Sequence, residues 1–213
     1  MTVLLYIDGK DQAATLNKTF NRLDPVTGEV ASQAAATSKE NALEAVAAAH
    51  TAFASWSNTT PAERRALLNK AADIMNSKSD EFVAAMITET GATGPWAGFN
   101  VSLAAGHIRE AAALTTHING EVIPSNKLGT LAMSVCKPKG VCLAMAPWNA
   151  PVILGARAIA TPLACGNTVI LKSSEFCPLT HRLIVDCFIE AGFPAGTVNV
   201  LTRNSISVVV WPI

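Results

Sequence analysis

The chain has 213 residues, half of them hydrophobic and 15% charged, with a formal net charge of zero. That length and balance fit a globular chain of one or two domains and exclude a disordered one. No Lys/Arg cluster or basic stripe is present, which argues against a nucleic-acid partner.

Cys136, Cys142, Cys165, Cys177 and Cys187 are an odd set with no C-x-x-C pair. Neither a disulfide framework nor a zinc ribbon is visible, so a reducing, cytoplasmic setting is expected. Met1 to Asp8 lacks a basic leader, and its apolar run is too short for a signal peptide. Between Val141 and Leu171 the only charge is Arg157. A membrane span needs about 20 apolar residues, but Pro147, Pro151 and Pro162, with Gly155 and Gly166, break this segment into shorter pieces. Strands buried on both faces by helices fit it better, and no membrane partner is expected.

In chain order, Val3 to Asp8 reads as a short strand turned at Gly9-Lys10-Asp11. Asp24 to Glu29 is a turn between extended segments. Ser38 caps a helix in which Leu43, Val46, His50 and Phe53 recur at helical spacing. Thr60 caps a second helix, with Pro61 at its first position and Glu63 closing a capping box. A third helix runs from about Ser79 to a stop at Gly91, and a fourth from Pro95 to Asn119. Glu121 to Pro124 and Thr130 to Cys136 then read as a hairpin turned at Ser125 to Gly129. Val141 to Ala146 is a buried-strand pattern, followed by an apolar helix and a β-branched run from Thr168 to Leu171. A last helix starts near Pro178 and stops at Gly192, before a third strand at Val198 to Leu201.

Strand, helix, strand on this scale is a βαβ unit, and ligands gather at the carboxyl ends of such strands. Those ends carry Trp148 and Asn149 on the first strand, Lys172 and Glu175 on the second. By itself Asn149 suits a strand exit; a rigid amide there also suits a developing alkoxide. Lys172 and Glu175 read either as a solvated ion pair or as a donor and acceptor for the ribose hydroxyls of an adenine dinucleotide. In the second case the carboxylate disfavours a 2′-phosphate, and so favours NAD over NADP. No G-x-G-x-x-G fingerprint occurs; Gly91, Gly94 and Gly98 have the wrong spacing. The cysteines sit in apolar or strand-edge contexts and read as small hydrophobes. Cys177 and His181 are four residues apart, but two ligands make no metal site. His50, His107 and His117 read as ordinary helix residues.

Asp24-Pro25-Val26-Thr27-Gly28, Pro147-Trp148-Asn149-Ala150-Pro151, Cys165 to Glu175 and Ala191-Gly192-Phe193-Pro194-Ala195-Gly196-Thr197-Val198-Asn199-Val200 together resemble the aldehyde dehydrogenase family. Gly94 to Asn100 and Ala146 to Gly155 look most like its salicylaldehyde and vanillin type. The resemblance implies an incomplete doubly wound (Rossmann-like) parallel α/β sheet, with N-terminal helices and a protruding oligomerisation β-hairpin. It divides the chain into a helical part at 1–119, the hairpin at 120–139, the first half of an NAD-binding sheet at 140–202 and a tail at 203–213. The implied reaction is NAD(P)-dependent oxidation of an aldehyde, here aromatic, through a thiohemiacetal. Asn149 is implied as oxyanion donor, and Pro147, Trp148, Lys172, Ser174 and Glu175 as cofactor contacts. Ser173 stands where the family usually has Pro, which is expected to loosen the loop.

The resemblance ends at Thr202, and Arg203 to Ile213 resembles nothing in the family. The regions of the family's nucleophilic Cys and general-base Glu are missing, as a premature stop, a mis-spliced message or a gene model ending in an intron would leave them. The chain alone is therefore expected to be inactive and to bind NAD or NADP weakly. An unpaired sheet edge and the β-prone run Ser207 to Trp211 are expected to make it self-associate, unless the tail docks as a surrogate strand.

Overall fold

A computed structural model of the protein describes residues 2–203. Strands β1 (Thr2–Val3), β2 (Leu5–Ile7) and β3 (Lys10–Gln12) open the chain. The β2–β3 turn uses Asp8 at φ 51° and Gly9 at φ 77°, the positive φ pair that two-residue hairpins favour. Strands β4 (Thr19–Leu23) and β5 (Val30–Ala35) flank the expected Asp24 to Glu29 turn. There Asp24 Oδ1 accepts from the N–H groups of Val26 and Thr27 at 2.7 and 3.2 Å.

Helices α1 (Lys39–Trp56) and α2 (Pro61–Ser77) start at capping boxes, Ser38 with Asn41 and Thr60 with Glu63. Helix α3 (Ser79–Thr90) ends on Gly91 at φ 68°. Helix α4 (Gly94–Leu114) is shorter than the pattern to Asn119 predicts. Arg65 on α2 takes its last carbonyls, donating to Ala112 O and Ala113 O at 3.2 Å each. Thr115 Oγ1 also bonds back to Ala112 O at 2.8 Å, a local competition that ends helices. His117 consequently lies beyond the helix that the sequence pattern assigns it to.

The predicted hairpin forms as β6 (Val122–Ile123) and β7 (Ala132–Met133), a ladder shorter than its extended segments suggest. Strand β8 (Val141–Met145), helix α5 (Pro151–Ala164), strand β9 (Thr168–Lys172), helix α6 (Pro178–Ala191) and strand β10 (Val198–Leu201) complete the described chain.

The main sheet has five strands in the order β3-β2-β10-β9-β8. Strands β8, β9 and β10 are parallel, while β2 joins β10 antiparallel. The sheet is thus a doubly wound core extended by the chain's own N-terminal hairpin, which the sequence pattern does not predict. A smaller sheet runs β1-β5-β4. Alternation along β9 sets the layers: Val169 and Leu171 enter the core shared with α5 and α6, while Ile170 faces α1 through Ala42, Ala45 and Ala49. Helices α2 to α4 pack behind α5 and α6.

Strand β8 departs from the fully buried strand that its composition predicts. Leu143 and Met145 are 42% and 71% exposed, and Ala144 is buried. Among the described residues β8 pairs with β9 alone, so an edge position opens one face that composition cannot reveal. Among the described residues no helix is long and apolar enough to cross a membrane.

Candidate active site at the strand ends

Register brings the two predicted loops together. Met145 pairs with Lys172, and Lys172 with Leu201, so the carboxyl ends of β8, β9 and β10 lie level. The loop after β8 carries Pro147, Trp148 and Asn149, all exposed. Asn149 neither caps α5 nor makes a side-chain hydrogen bond with any described residue. Asn149 lies in the bend between β8 and α5, and its side chain is exposed. Trp148 lies 6.0 Å from Phe176 of the neighbouring loop, rings tilted by 60°. The Arg22 guanidinium sits 5.1 Å over the other aromatic partner, Phe176.

Lys172 closes β9, with Nζ 3.3 Å from Glu175 Oε2 across one turn of loop. Both side chains are partly shielded rather than freely solvated. Ser174 is buried; its Oγ accepts from Phe176 N at 3.2 Å, so its hydroxyl serves the loop's own backbone. Ser173 corrects the expectation of a looser loop. Its N–H donates to Leu201 O at 2.9 Å and its Oγ to Ser174 O at 3.0 Å. A proline has no N–H to make the first of these bonds, so serine fastens this position to β10.

At the opposite end of the strands, Asn167 Oδ1 accepts from Lys139 N and Gly140 N at 2.7 and 3.0 Å. That bond pair, with Gly166 at φ 80°, explains why the Cys165-Gly166-Asn167 run leads into β9. The roles of two structural residues escape the sequence reading, which weighs His181 only as a metal ligand beside Cys177. Glu89 binds the amino end of α6, and His181 lies fully buried, its Nδ1 accepting from Ser174 N at 3.0 Å. Each sits on the apolar stripe of its helix, Glu89 with Phe82 and Met86, His181 with Ile184 and Phe188. A polar residue on such a stripe is the signal that could have found them.

Burial leaves four of the cysteines without an activated thiol. Cys177 and Cys187 are buried, and burial pushes the Cys187 thiol up to about 12 and that of Cys177 higher still. Burial also raises Cys142 and Cys165. Cys136 is exposed beside the hairpin and donates to Asn119 O at 3.2 Å. Among the described residues no three His, Cys, Asp or Glu side chains converge on a metal position. A groove of about 610 Å³ lies away from the strand ends, between α3, α6 and the N-terminal strands. Three of its charges pair with one another: Arg182 reaches Asp11 at 2.7 Å and Asp186 at 2.8 Å.

Parallel strands β8, β9 and β10 packed between helices, with polar residues gathered at their carboxyl ends, define a dinucleotide-binding type of α/β protein. The chain belongs to the aldehyde dehydrogenase family, whose sequence model matches residues 12–209. That range runs past Thr202 into the stretch set apart above as a tail. It is 58% identical over 201 residues to the vanillin dehydrogenase of Pseudomonas sp. (strain HR199 / DSM 7063), covering 94% of this chain and 42% of that protein. It is 48% identical over 199 residues to the salicylaldehyde dehydrogenase of Pseudomonas putida, covering 93% of this chain and 40% of that one. Among solved structures, a salicylaldehyde dehydrogenase from Pseudomonas putida G7 complexed with salicylaldehyde superposes with a TM-score of 0.94 at 46% identity, over 96% of this chain and 42% of that one. An Escherichia coli NADP dependent enzyme gives 0.93 at 26% identity, over 96% and 42% of the two chains. The chain therefore spans about two-fifths of the length of the relatives it matches.

Proposed function

We propose that this chain supplies the dinucleotide-binding and oxyanion-stabilising part of an aldehyde dehydrogenase that converts an aromatic aldehyde to its carboxylic acid. One observation carries the reading. The Met145 to Lys172 register sets the Asn149 amide and the Lys172–Glu175 pair on adjacent loops. An ammonium donor beside a carboxylate acceptor suits a vicinal ribose diol, and the exposed Trp148 and Phe176 rings offer apolar surface next to it. Pro147, Trp148 and Ser174 shape the two loops around that position. The Glu175 carboxylate disfavours a 2′-phosphate, so NAD is preferred over NADP.

The bound dinucleotide supplies the hydride acceptor. Asn149 acts on the other partner. As a thiolate adds to the aldehyde carbon, the C=O electron pair moves to oxygen, and the Asn149 amide donates to that oxyanion. The shielded or remote thiols of this chain do not suit that attack, so the nucleophile is assigned elsewhere. The names of the vanillin and salicylaldehyde relatives support an aromatic substrate. We assign association with another copy or a longer partner to the hairpin at 120–139, between the units at 1–119 and 140–202. Exposed Val122, Ile123, Leu131 and Met133 favour this role. They equally favour the rival reading, a non-catalytic chain that only associates.

Calorimetry with NAD⁺ and an assay of NAD(P)H formation from vanillin and salicylaldehyde test the proposal. Losing a charge-assisted hydrogen bond in Glu175→Gln or Lys172→Ala should weaken NAD⁺ binding by roughly tenfold or more. Equal binding by both variants and the parent chain sinks the ribose assignment. The purified chain alone is expected to form no NAD(P)H, and turnover from it that persists after all its cysteines are replaced by Ser refutes the thiolate mechanism.

A further inference from the structure

Arg22 stands on β4 opposite Ser32 of β5, where the ladder shifts register between Arg22 and Leu23. Such an irregularity re-aims a side chain, and here the guanidinium reaches two partners outside its own sheet. Its Nε donates to Glu89 O, in the last turn of α3, at 2.7 Å. Its Cζ lies 5.1 Å from the centroid of the Phe176 ring. Among the described residues no carboxylate pairs with Arg22, so the ring face stands where a counter-charge would.

Hydrogen bonds hold both sides of this contact. Ser32, the strand partner of Arg22, donates through Oγ to Glu89 Oε1 at 2.5 Å. The same carboxylate accepts from Leu179 N and Thr180 N at 2.9 and 2.8 Å. Glu89 thus takes Arg22 on its carbonyl and the amino end of α6 on its carboxylate, and Phe176 is in the loop that leads into α6. The Phe176 ring also meets Trp148, 6.0 Å away with the planes tilted by 60°, within the range of a favourable aromatic pair. Glu175, the ribose acceptor of the reading above, is the residue next to Phe176.

We infer that Arg22 is a positioning residue: by holding the Phe176 ring it sets the orientation of the adjoining Glu175 and of the Trp148 ring at the strand ends. The consequence for ligand binding rests on the cofactor reading above; the packing of Arg22, Phe176 and Trp148 does not.

Two substitutions separate the contact with the ring from the bond to α3. In Arg22→Gln the amide nitrogen takes the place of Nε and keeps the bond to Glu89 O, while the charge over Phe176 is lost. Phe176→Leu removes the ring and leaves Arg22 in place. The indole N–H resonance of Trp148, assigned by its disappearance in Trp148→Phe, reports on the ring beside it. It should move in Phe176→Leu, and in Arg22→Gln move in the same direction by a smaller amount. A Trp148 resonance in Arg22→Gln that matches the parent overturns the inference. Calorimetry with AMP supplies the second readout. Each single substitution should weaken binding by about threefold, the worth of an exposed cation–π contact. The double variant should bind no more weakly than Phe176→Leu alone, because both substitutions remove the same contact. Unchanged affinity in Arg22→Gln would mark a residue that only closes α3, and losses that multiply in the double variant would mark two independent roles; either result overturns the positioning role. A parent chain that binds neither AMP nor NAD⁺ would remove the cofactor reading, while the Trp148 resonance still decides the positioning.

Discussion

Glu89 turns its carboxylate toward the amino end of α6, where Oε1 accepts from Leu179 N at 2.9 Å and Oε2 from Thr180 N and Oγ1 at 2.8 Å each. Ser32 Oγ donates to Oε1 as well. Burial pushes this carboxyl above its ordinary range, and the donors, with the helix dipole, pull it back. Since every contact is a donor, Glu89→Gln would point an amide N–H at other N–H groups. We expect a loss of about 2–4 kcal/mol in urea unfolding; a loss within error would show that the donors find other partners. His181 carries a pH signature. Burial first, and then the nearby Lys172 ammonium, lower its pKa from 6.5 to about 4; Cys177 faces the ring as a neutral thiol. A depressed pKa means that the unfolded chain binds more protons between those values. This contribution is therefore complete above 6.5 and is lost as pH falls toward 4. Between pH 7 and 5 the parent should lose about 2 kcal/mol more than His181→Asn. Parallel pH profiles of the two chains would contradict the assignment.

At the scale of elements, Gly192 to Val198 shows what a family-like run is for. Gly192, at φ 99°, ends α6 in the left-handed region. Gly196, at φ 75°, brings the chain against α1, where an added Cβ would lie 2.8 Å from Ala48 O and 3.0 Å from Ala52 Cβ. Asn199 then locks the strand by donating to Gly196 O at 2.8 Å and accepting from Asp8 N at 3.1 Å. Gly196→Ala combines an unfavourable φ with a backbone clash, and should destabilise by about 2–4 kcal/mol. Thermal unfolding of the variant checks this; an unchanged midpoint would mean that α1 yields freely. The helices were legible for local reasons: Ser38, Thr60 and Gly91 act within a turn of where they stand. The end of α4 was not, because Arg65, which closes it, is remote in sequence. For the same reason Ser173 was misjudged, since its bond partner Leu201 lies on another strand.

Across the whole molecule the apolar exposure is uneven. Strand β8 offers Leu143 and Met145, and the hairpin offers Val122, Leu128, Leu131 and Val135, which is 67% exposed. Among the described residues β8 is an edge strand, and an edge beside such a surface invites pairing between copies. We expect light scattering to show association that rises with concentration and falls in Met145→Lys, which places a charge on the edge. A monodisperse monomer at every concentration would count against it. The run Ser207 to Trp211, whose β-propensity suggested a surrogate strand, lies outside the described residues; scattering from a chain ending at Thr202 tests its part in association.

The sequence by itself determined the helices, the order of the parallel strands, the family and the residues that stand at the strand ends. Each of these rests on periodicity, on a cap within a few residues, or on a contiguous run such as Pro147 to Pro151. Only the tertiary structure decided that β2 extends the sheet beside β10, that β8 is an edge among the described residues, and that Glu89 binds the amino end of α6, 90 residues along the chain. Those outcomes depend on which buried donor finds which acceptor, and that pairing is fixed by packing in three dimensions rather than by spacing along the chain.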